Sequence, residues 1–354
     1  MQINTLFAAL AVLSHASAHP GHDVSAEAAA YERALAGVKP NLDHCSETLV
    51  KRGISGDAIN RRAAVVDGLR EKRGLEKRGK NEHDNNDGFT AHTSPEKIFA
   101  GNHSCALAPE DTDSGPFWVV GEYIRKDLAE DQAGIPMHVD IQIINSETCM
   151  PVAGAFVDIW NCNTTGVYSG TVSDFDGTGD DYSNWETTWL RGIQPTDING
   201  VAQFDTIFPG HYLHRASHIH TLVHHSSAKD PAIPQRNHTL LGNTASHVGQ
   251  LFFDEDLRSE VEKIAPYSTN HVPVTSNADD PILSAALAHG GYPFFQYTKI
   301  GDRLEDGVLV WISVGVNVTY SRTVCAMATN LAEGGHVPSG STPPDCIATG
   351  ASPL

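Results

Sequence analysis

The tightest constraint on the fold lies in residues 137–143, where Met137, Val139, Ile141 and Ile143 alternate with His138, Asp140 and Gln142. Successive side chains of a strand point to opposite faces, so this period of two specifies a strand with one apolar face on a core. The texture recurs. Ala155 to Trp160, Val201 to Phe208, His218 to Val223 and Val308 to Val316 are further apolar runs of strand length, and residues 197–200 (DING) read as a turn. Two helices are expected among them. One covers 254–265, with Leu257, Val261 and Ile264 on one face. The other covers 281–288, with Pro281 near its first position and Gly290 as its stop. The expected fold is mainly β, a β-sandwich catalytic domain over residues 96–325 with a helical N-terminal leader.

The flanks have a different composition. Residues 24–75 are rich in Ala, Leu and charge and read as helices, whereas 79–95 are polar without an apolar period and read as a linker. Residues 19–95 are therefore expected as a helical leader and possible pro-segment. The dibasic pairs Lys51-Arg52, Arg61-Arg62, Lys72-Arg73 and Lys77-Arg78 are either trimming sites or a solvated basic face. Residues 326–354, rich in Gly, Ser and Pro, are expected as a flexible tail.

Residues 1–18 read as a signal peptide, with an apolar run from Leu6 to Leu13 before Ala16-Ser17-Ala18. Secretion to the extracellular space is the expectation. It agrees with six cysteines, an even number that suits disulfides in an open pairing, and with N-x-S/T sequons at Asn102, Asn163, Asn237 and Asn317 that suit a glycoprotein. Residues 101–354 hold 11 basic against 30 acidic side chains and carry the whole net charge of −19. Such a body repels phosphate backbones, so nucleic acid is excluded as a partner. Beyond the N-terminus no apolar run reaches the roughly 20 residues that span a membrane, which argues against a membrane partner. Nothing in the sequence indicates an oligomeric state.

The densest chemistry is the segment from Phe208 to His220, FPGHYLHRASHIH. On a strand, His218 and His220 share a face and offer two imidazoles side by side, with Ile219 turned the other way. Tyr212 precedes this pair by six residues, and Tyr168 lies upstream in Gly166-Val-Tyr-Ser-Gly170. A tyrosine hydroxyl keeps its proton unless a strongly charged cation captures it, and two tyrosinates suit a hard trivalent ion better than zinc or copper(I). His211, His214, His224 and His225 form a second histidine-rich group able to take stray metal.

With these residues the chain resembles the intradiol ring-cleavage dioxygenases, most of all their secreted fungal branch. The resemblance runs from about Cys105 to Tyr320. It is carried by Pro109-Glu110 with Gly115-Pro116-Phe117-Trp118, by Pro151 to Trp160, by Asn161 to Tyr168, by Leu190 to Asp197, and by Arg215-x-x-His218-Ile-His220. It implies non-haem Fe(III) held by Tyr168, Tyr212, His218 and His220, with Tyr212 and His220 axial and a water or hydroxide completing the site. The implied substrates are a small aromatic diol and O2. Both oxygen atoms enter the ring, which opens between its hydroxylated carbons to give a cis,cis-muconate-type diacid. Tyr212 is implied as a proton acceptor, Arg215 as the cation that stabilises carbanion character in the ring, and Gln250 as its assistant. Two departures stand out. Ala216 replaces a proline found in many members, and only five residues separate Tyr212 from His218, so the pocket near Tyr212 is expected to differ from bacterial relatives.

Two other readings compete. The strand-and-turn text also fits a non-catalytic prealbumin-like β-sandwich binding module, which has no need of two tyrosines, H-x-H and Arg215 together. An amino-terminal His19 with His22 could bind copper after cleavage behind Ala18.

Overall fold

The computed structural model describes residues 25–75, 94–99, 104–108, 117–172, 181–225, 235–236, 238–240, 244–245, 247–320, 322–324, 326–330 and 336–338. The expected signal peptide (residues 1–18), His19 and His22, most of the expected 79–95 linker, the Asn102 and Asn237 sequons, Cys325, Cys346, Pro109-Glu110 and Gly115-Pro116 lie outside the described residues.

Ten strands build the body: β1 (Ser104–Ala106), β2 (Pro136–Asn145), β3 (Met150–Pro151), β4 (Phe156–Trp160), β5 (Arg191–Pro195), β6 (Val201–Ile207), β7 (His218–His224), β8 (His247–Phe252), β9 (Gln296–Lys299) and β10 (Val308–Val316). In the larger sheet β2 is central. It pairs in parallel with β10 and antiparallel with β6 and β3, while β1 and β9 pair with β10. The smaller sheet is antiparallel, in the order β8-β7-β4-β5. Met137, Val139, Ile141 and Ile143 of β2 share one buried cluster with Val157 and Ile159 of β4, Ile219 and Val223 of β7 and Leu251 of β8. The two sheets are thus the layers of a sandwich, mainly β as expected.

Asp254 caps α5 (Glu255–Val261) by accepting the Leu257 amide at 2.7 Å. This helix ends sooner than the apolar spacing suggests: past Val261 the Lys263 and Ile264 amides bond three residues back, to the Glu260 and Val261 carbonyls. Its continuation is a turn in which Ile264 still packs on the core. The other expected helix, α6 (Pro281–Ala288), matches its sequence signals.

The polar face of β2 does not meet solvent. His138, Asp140 and Gln142 are buried beneath the N-terminal segment, whose helices are α1 (Ser25–Leu35), α2 (Ser46–Lys51), α3 (Ile54–Lys72) and α4 (Pro95–Phe99); α3 lies on Asp140, whereas α1 packs on α6. Arg61 grips Asp140 with Nε to Oδ2 at 2.9 Å and Nη2 to Oδ1 at 3.0 Å, and Arg62 adds Nε to Oδ1 at 3.3 Å. This dibasic pair is committed to an ion-pair network. Val66 of α3 packs with Phe99, Leu309 and Trp311, and a Cys45–Cys149 disulfide ties the segment to the turn after β2. Cys105 and Cys162 are buried. Within the stretch expected as a tail, Ala328–Asn330 pairs with Val119–Val120 and with His336–Pro338 in a small sheet.

Candidate metal centre

The outer face of the smaller sheet, turned away from the sandwich core, carries the site. Register places Gln250 of β8, His220 of β7, Trp160 of β4 and Arg191 of β5 in one transverse row, with Phe252 beside His218 in the next. Two loops bring in the tyrosines. Their backbones touch at two glycines. At Gly166, with φ of +89°, a Cβ would collide with the His211 carbonyl, and at Gly210 a Cβ would lie 2.5 Å from the Thr164 carbonyl oxygen. Only glycine allows this approach. It sets the loop that bears Tyr168 against the loop that bears Tyr212.

The second loop is pinned by His211, whose Nδ1 donates to Glu262 at 2.7 Å and whose Nε2 donates to the Val272 carbonyl at 2.8 Å. Burial works against charge on this ring, but Glu262 and the Val272 carbonyl prevail and raise its pKa. His211 is thereby committed. His224 is likewise buried, with Nδ1 on the Thr244 carbonyl and Nε2 near Asp158, so the expected stray-metal group is not assembled.

Tyr168, Tyr212, His218 and His220 converge, all buried. His218 Nε2 lies 3.0 Å from His220 Nε2 and 3.2 Å from the Tyr212 hydroxyl, and His220 Nε2 lies 3.1 Å from the Tyr168 hydroxyl. Two donors about 2.0–2.2 Å from one ion, at right angles to it, stand about 3 Å apart, so this spacing fits a shared cation. The tautomer fits too. His218 Nδ1 donates to the Ala216 carbonyl at 2.6 Å, which leaves the Nε2 lone pair facing the centre. Burial, and then the Arg215 charge, push the His218 pKa down to about 3, and burial with His218 beside it drives His220 well down. Burial and the neighbouring Tyr212 hold the Tyr168 phenol well above its ordinary value. Without a cation the centre is therefore neutral. Two phenols that surrender protons only to a strong cation, set beside two neutral imidazoles, suit a hard trivalent ion.

The surroundings lock the donors in place. Trp160 stacks on His220 with centroids 4.9 Å apart and 4° between planes, and Phe117 stacks on Tyr168 at 4.4 Å. The Arg191 guanidinium sits 6.0 Å from the Tyr168 ring centroid and donates to the carbonyls of Ser169 and Phe117. Arg215 reaches the Tyr212 hydroxyl with Nη1 at 3.4 Å, and its Nη2 donates to Gln250 Oε1. All six residues singled out in the sequence are thus brought together. Trp160 and Arg191 were not singled out, although their place in a row with His220 follows from register once the strands are aligned.

The dioxygenase family model matches residues 115–272, a span that contains all six residues. That span is similar to the dioxygenase family, and it holds the whole candidate site. No curated protein matches the chain. Among solved structures it is similar to an intradiol ring-cleavage dioxygenase from Tetranychus urticae, with 28% identity over 60% of this chain and 96% of that one and a TM-score of 0.46. It is also similar to catechol 1,2-dioxygenase from Pseudomonas arvilla C-1, with 17% identity over 77% and 75% of the two chains and a TM-score of 0.35. A third is hydroxyquinol 1,2-dioxygenase from Pseudomonas putida DLL-E4, with 16% identity over 57% and 64% and a TM-score of 0.36.

Proposed function

We propose that the protein is a secreted non-haem ferric dioxygenase that opens catechol-type diols between their hydroxylated carbons to give cis,cis-muconate-type diacids. In this reading Tyr168, Tyr212, His218 and His220 hold the iron. The observation that carries it is the convergence of two phenol oxygens and two imidazole nitrogens at 3.0–3.2 Å in a buried, neutral centre. Bound there, ferric iron would supply Lewis acidity toward both oxygens of a diol and a path for electron density out of the ring.

The chain's own groups do the remaining work. The Tyr212 oxygen, between His218 Nε2 and Arg215 Nη1, is placed to receive a proton from the incoming diol. Arg215, itself buried, is a fixed cation beside the centre and stabilises negative charge as it develops on the ring. The Gln250 carbonyl oxygen accepts from Arg215 and steadies its fork. Phe117, Trp160 and Phe252 wall the centre with apolar surface and keep water from the reacting carbons. Secretion is supported by the N-terminal apolar run before Ala16-Ser17-Ala18 and by the Cys45–Cys149 disulfide.

A visible spectrum of the iron-loaded protein, before and after adding catechol without oxygen, tests the reading. The expected result is a broad tyrosinate-to-ferric band that shifts with catechol, followed by muconate on admitting oxygen. Stoichiometric iron without colour would refute tyrosinate ligation.

A further inference from the structure

The carboxylate of Asp280 is wholly enclosed, and its contacts divide between two tasks. Oδ1 caps α6, accepting the amides of Ile282 and Leu283, each at 3.0 Å. Oδ2 accepts from Arg215 Nε at 3.0 Å and from the Ala216 amide at 2.9 Å, while Arg215 Nη2 stands 3.4 Å from Oδ1. Capping alone needs no charge, since Ser or Asn serves as well. A buried carboxylate is costly unless paired, and the guanidinium is the partner that accounts for it. Although burial opposes ionisation, Arg215 and the Leu283 amide keep this carboxyl below its ordinary range.

We infer that Asp280 is a positioning residue: it fixes the plane of the Arg215 guanidinium so that Nη1 faces Tyr212 and the ring of the bound diol. The inference rests on the role given to Arg215 above. Arg215 leaves the 212–215 turn, in which its amide bonds to the Tyr212 carbonyl at 3.2 Å. Its long side chain has several rotamers, and Asp280 and Gln250 hold its fork on adjacent edges. Asp280 can do this because α6 is anchored at both ends. Leu283 packs on Ala216 and Phe252 beside the centre. At the far end His289 Nε2 donates to the Val38 carbonyl at 3.0 Å, and Asn41 donates to the Gly290 carbonyl at 3.3 Å. The N-terminal segment thus braces the helix whose cap holds the cation of the site.

Asp280→Asn separates capping from positioning. It keeps the side-chain volume and an oxygen for the Ile282 and Leu283 amides, but turns its uncharged NH2 toward Arg215 and the Ala216 amide. Steady-state kinetics of the iron-loaded enzyme with catechol should show kcat about 10–100-fold lower. KM and the resting visible band should stay near wild type, whereas the melting temperature should fall because buried Arg215 loses its charge partner. In metal-free, 15N-arginine-labelled protein, the Arg215 Nε–H resonance should be protected from exchange and lose that protection in Asp280→Asn. A double-mutant cycle with Arg215→Met completes the test: once Arg215 is gone, Asp280→Asn should change kcat no further. Wild-type kcat in Asp280→Asn, or an equal loss in the Arg215→Met background, overturns the inference while leaving the role of Arg215 intact. Wild-type kcat in Arg215→Met overturns both. If Asp280→Asn does not fold, Asp280→Ser carries the same cycle, since it caps the helix without charge.

Discussion

The indole of Trp160 lies parallel to the His220 imidazole, with centroids 4.9 Å apart and 4° between the planes. The two residues are register partners on β4 and β7, so the stack is built by strand pairing and fixes the ring before any cation arrives. Trp160→Phe should keep the stack, the iron and the colour. Trp160→Ala should lose about 3–5 kcal/mol of stability through the cavity it leaves. The loosened His220 should also weaken iron binding about 10–100-fold. Thermal melting of the metal-free protein and competitive iron titration of each variant check both effects, and unchanged iron affinity in Trp160→Ala would remove the stack from the site's support.

Asp140 should govern the acid limb of stability. Burial alone would raise its pKa, but Arg61 and Arg62 hold it down at about 2, against an ordinary 3.8. A depressed carboxyl contributes stability above its unfolded pKa and loses it as pH falls through the folded one. Wild type should therefore weaken between about pH 4 and pH 2. Asp140→Asn should lose that step and be about 3–5 kcal/mol less stable at pH 7, because two arginines lose a buried partner. Urea unfolding across this pH range decides it, and coincident acid limbs in the two proteins would count against the ion-pair network.

Much of this was legible in the sequence, for physical reasons. Strands with alternating or continuous apolar runs declared themselves, as did α6, whose Pro281 and Gly290 punctuate it. The H-x-H pair and the two tyrosines were weak signals singly, and it was the family resemblance that joined them with Arg215. Three things stayed hidden. The Arg61-Arg62 pair has the same text whether it is cut, solvated or, as here, closed on Asp140 79 and 78 residues away. The burial of the polar face of β2 stayed hidden because a period of two reports amphipathicity and not what covers the polar side. Strands β5 and β8 carry polar and glycine residues (RGIQP and HVGQLF) whose weak β propensity is overridden by pairing with β4 and β7.

Glu122 should set the alkaline limb. Burial, and then Asp158 nearby, outweigh Arg191 and push its carboxyl up to about 8 from an ordinary 4.5. For an acid with a raised folded pKa the sign is reversed. Its ionisation costs nothing below about pH 4.5, costs more as pH rises, and reaches a constant penalty above about pH 8. Glu122→Gln, which keeps shape without ionising, should match wild type near pH 4.5 and exceed it at pH 8.5. Melting temperatures at the two pH values measure this, and equal pH dependence would show that Glu122 is ionised throughout.

Deletion of residues 25–75 should not leave a folded enzyme, even though such a helical segment reads as separable. The cut removes both arginine partners of Asp140 and the cover of Leu309 and Trp311, and it severs the Cys45–Cys149 tether. It also takes away Val38 and Asn41, which hold the far end of α6. A sheet face with a bare buried-type carboxylate and large apolar side chains is an aggregation surface. The truncated chain should therefore be insoluble or molten by near-ultraviolet circular dichroism. A milder cut that stops after α1, at residue 35, retains the Asp140 clamp, the disulfide and residues 38–41, but strips α1 from the face of α6. It should fold, with a lower melting temperature. If the 25–75 deletion is instead soluble, cooperatively folded and as active as the full chain, the segment is an accessory and the contacts to β2, β10 and α6 contribute little to the fold.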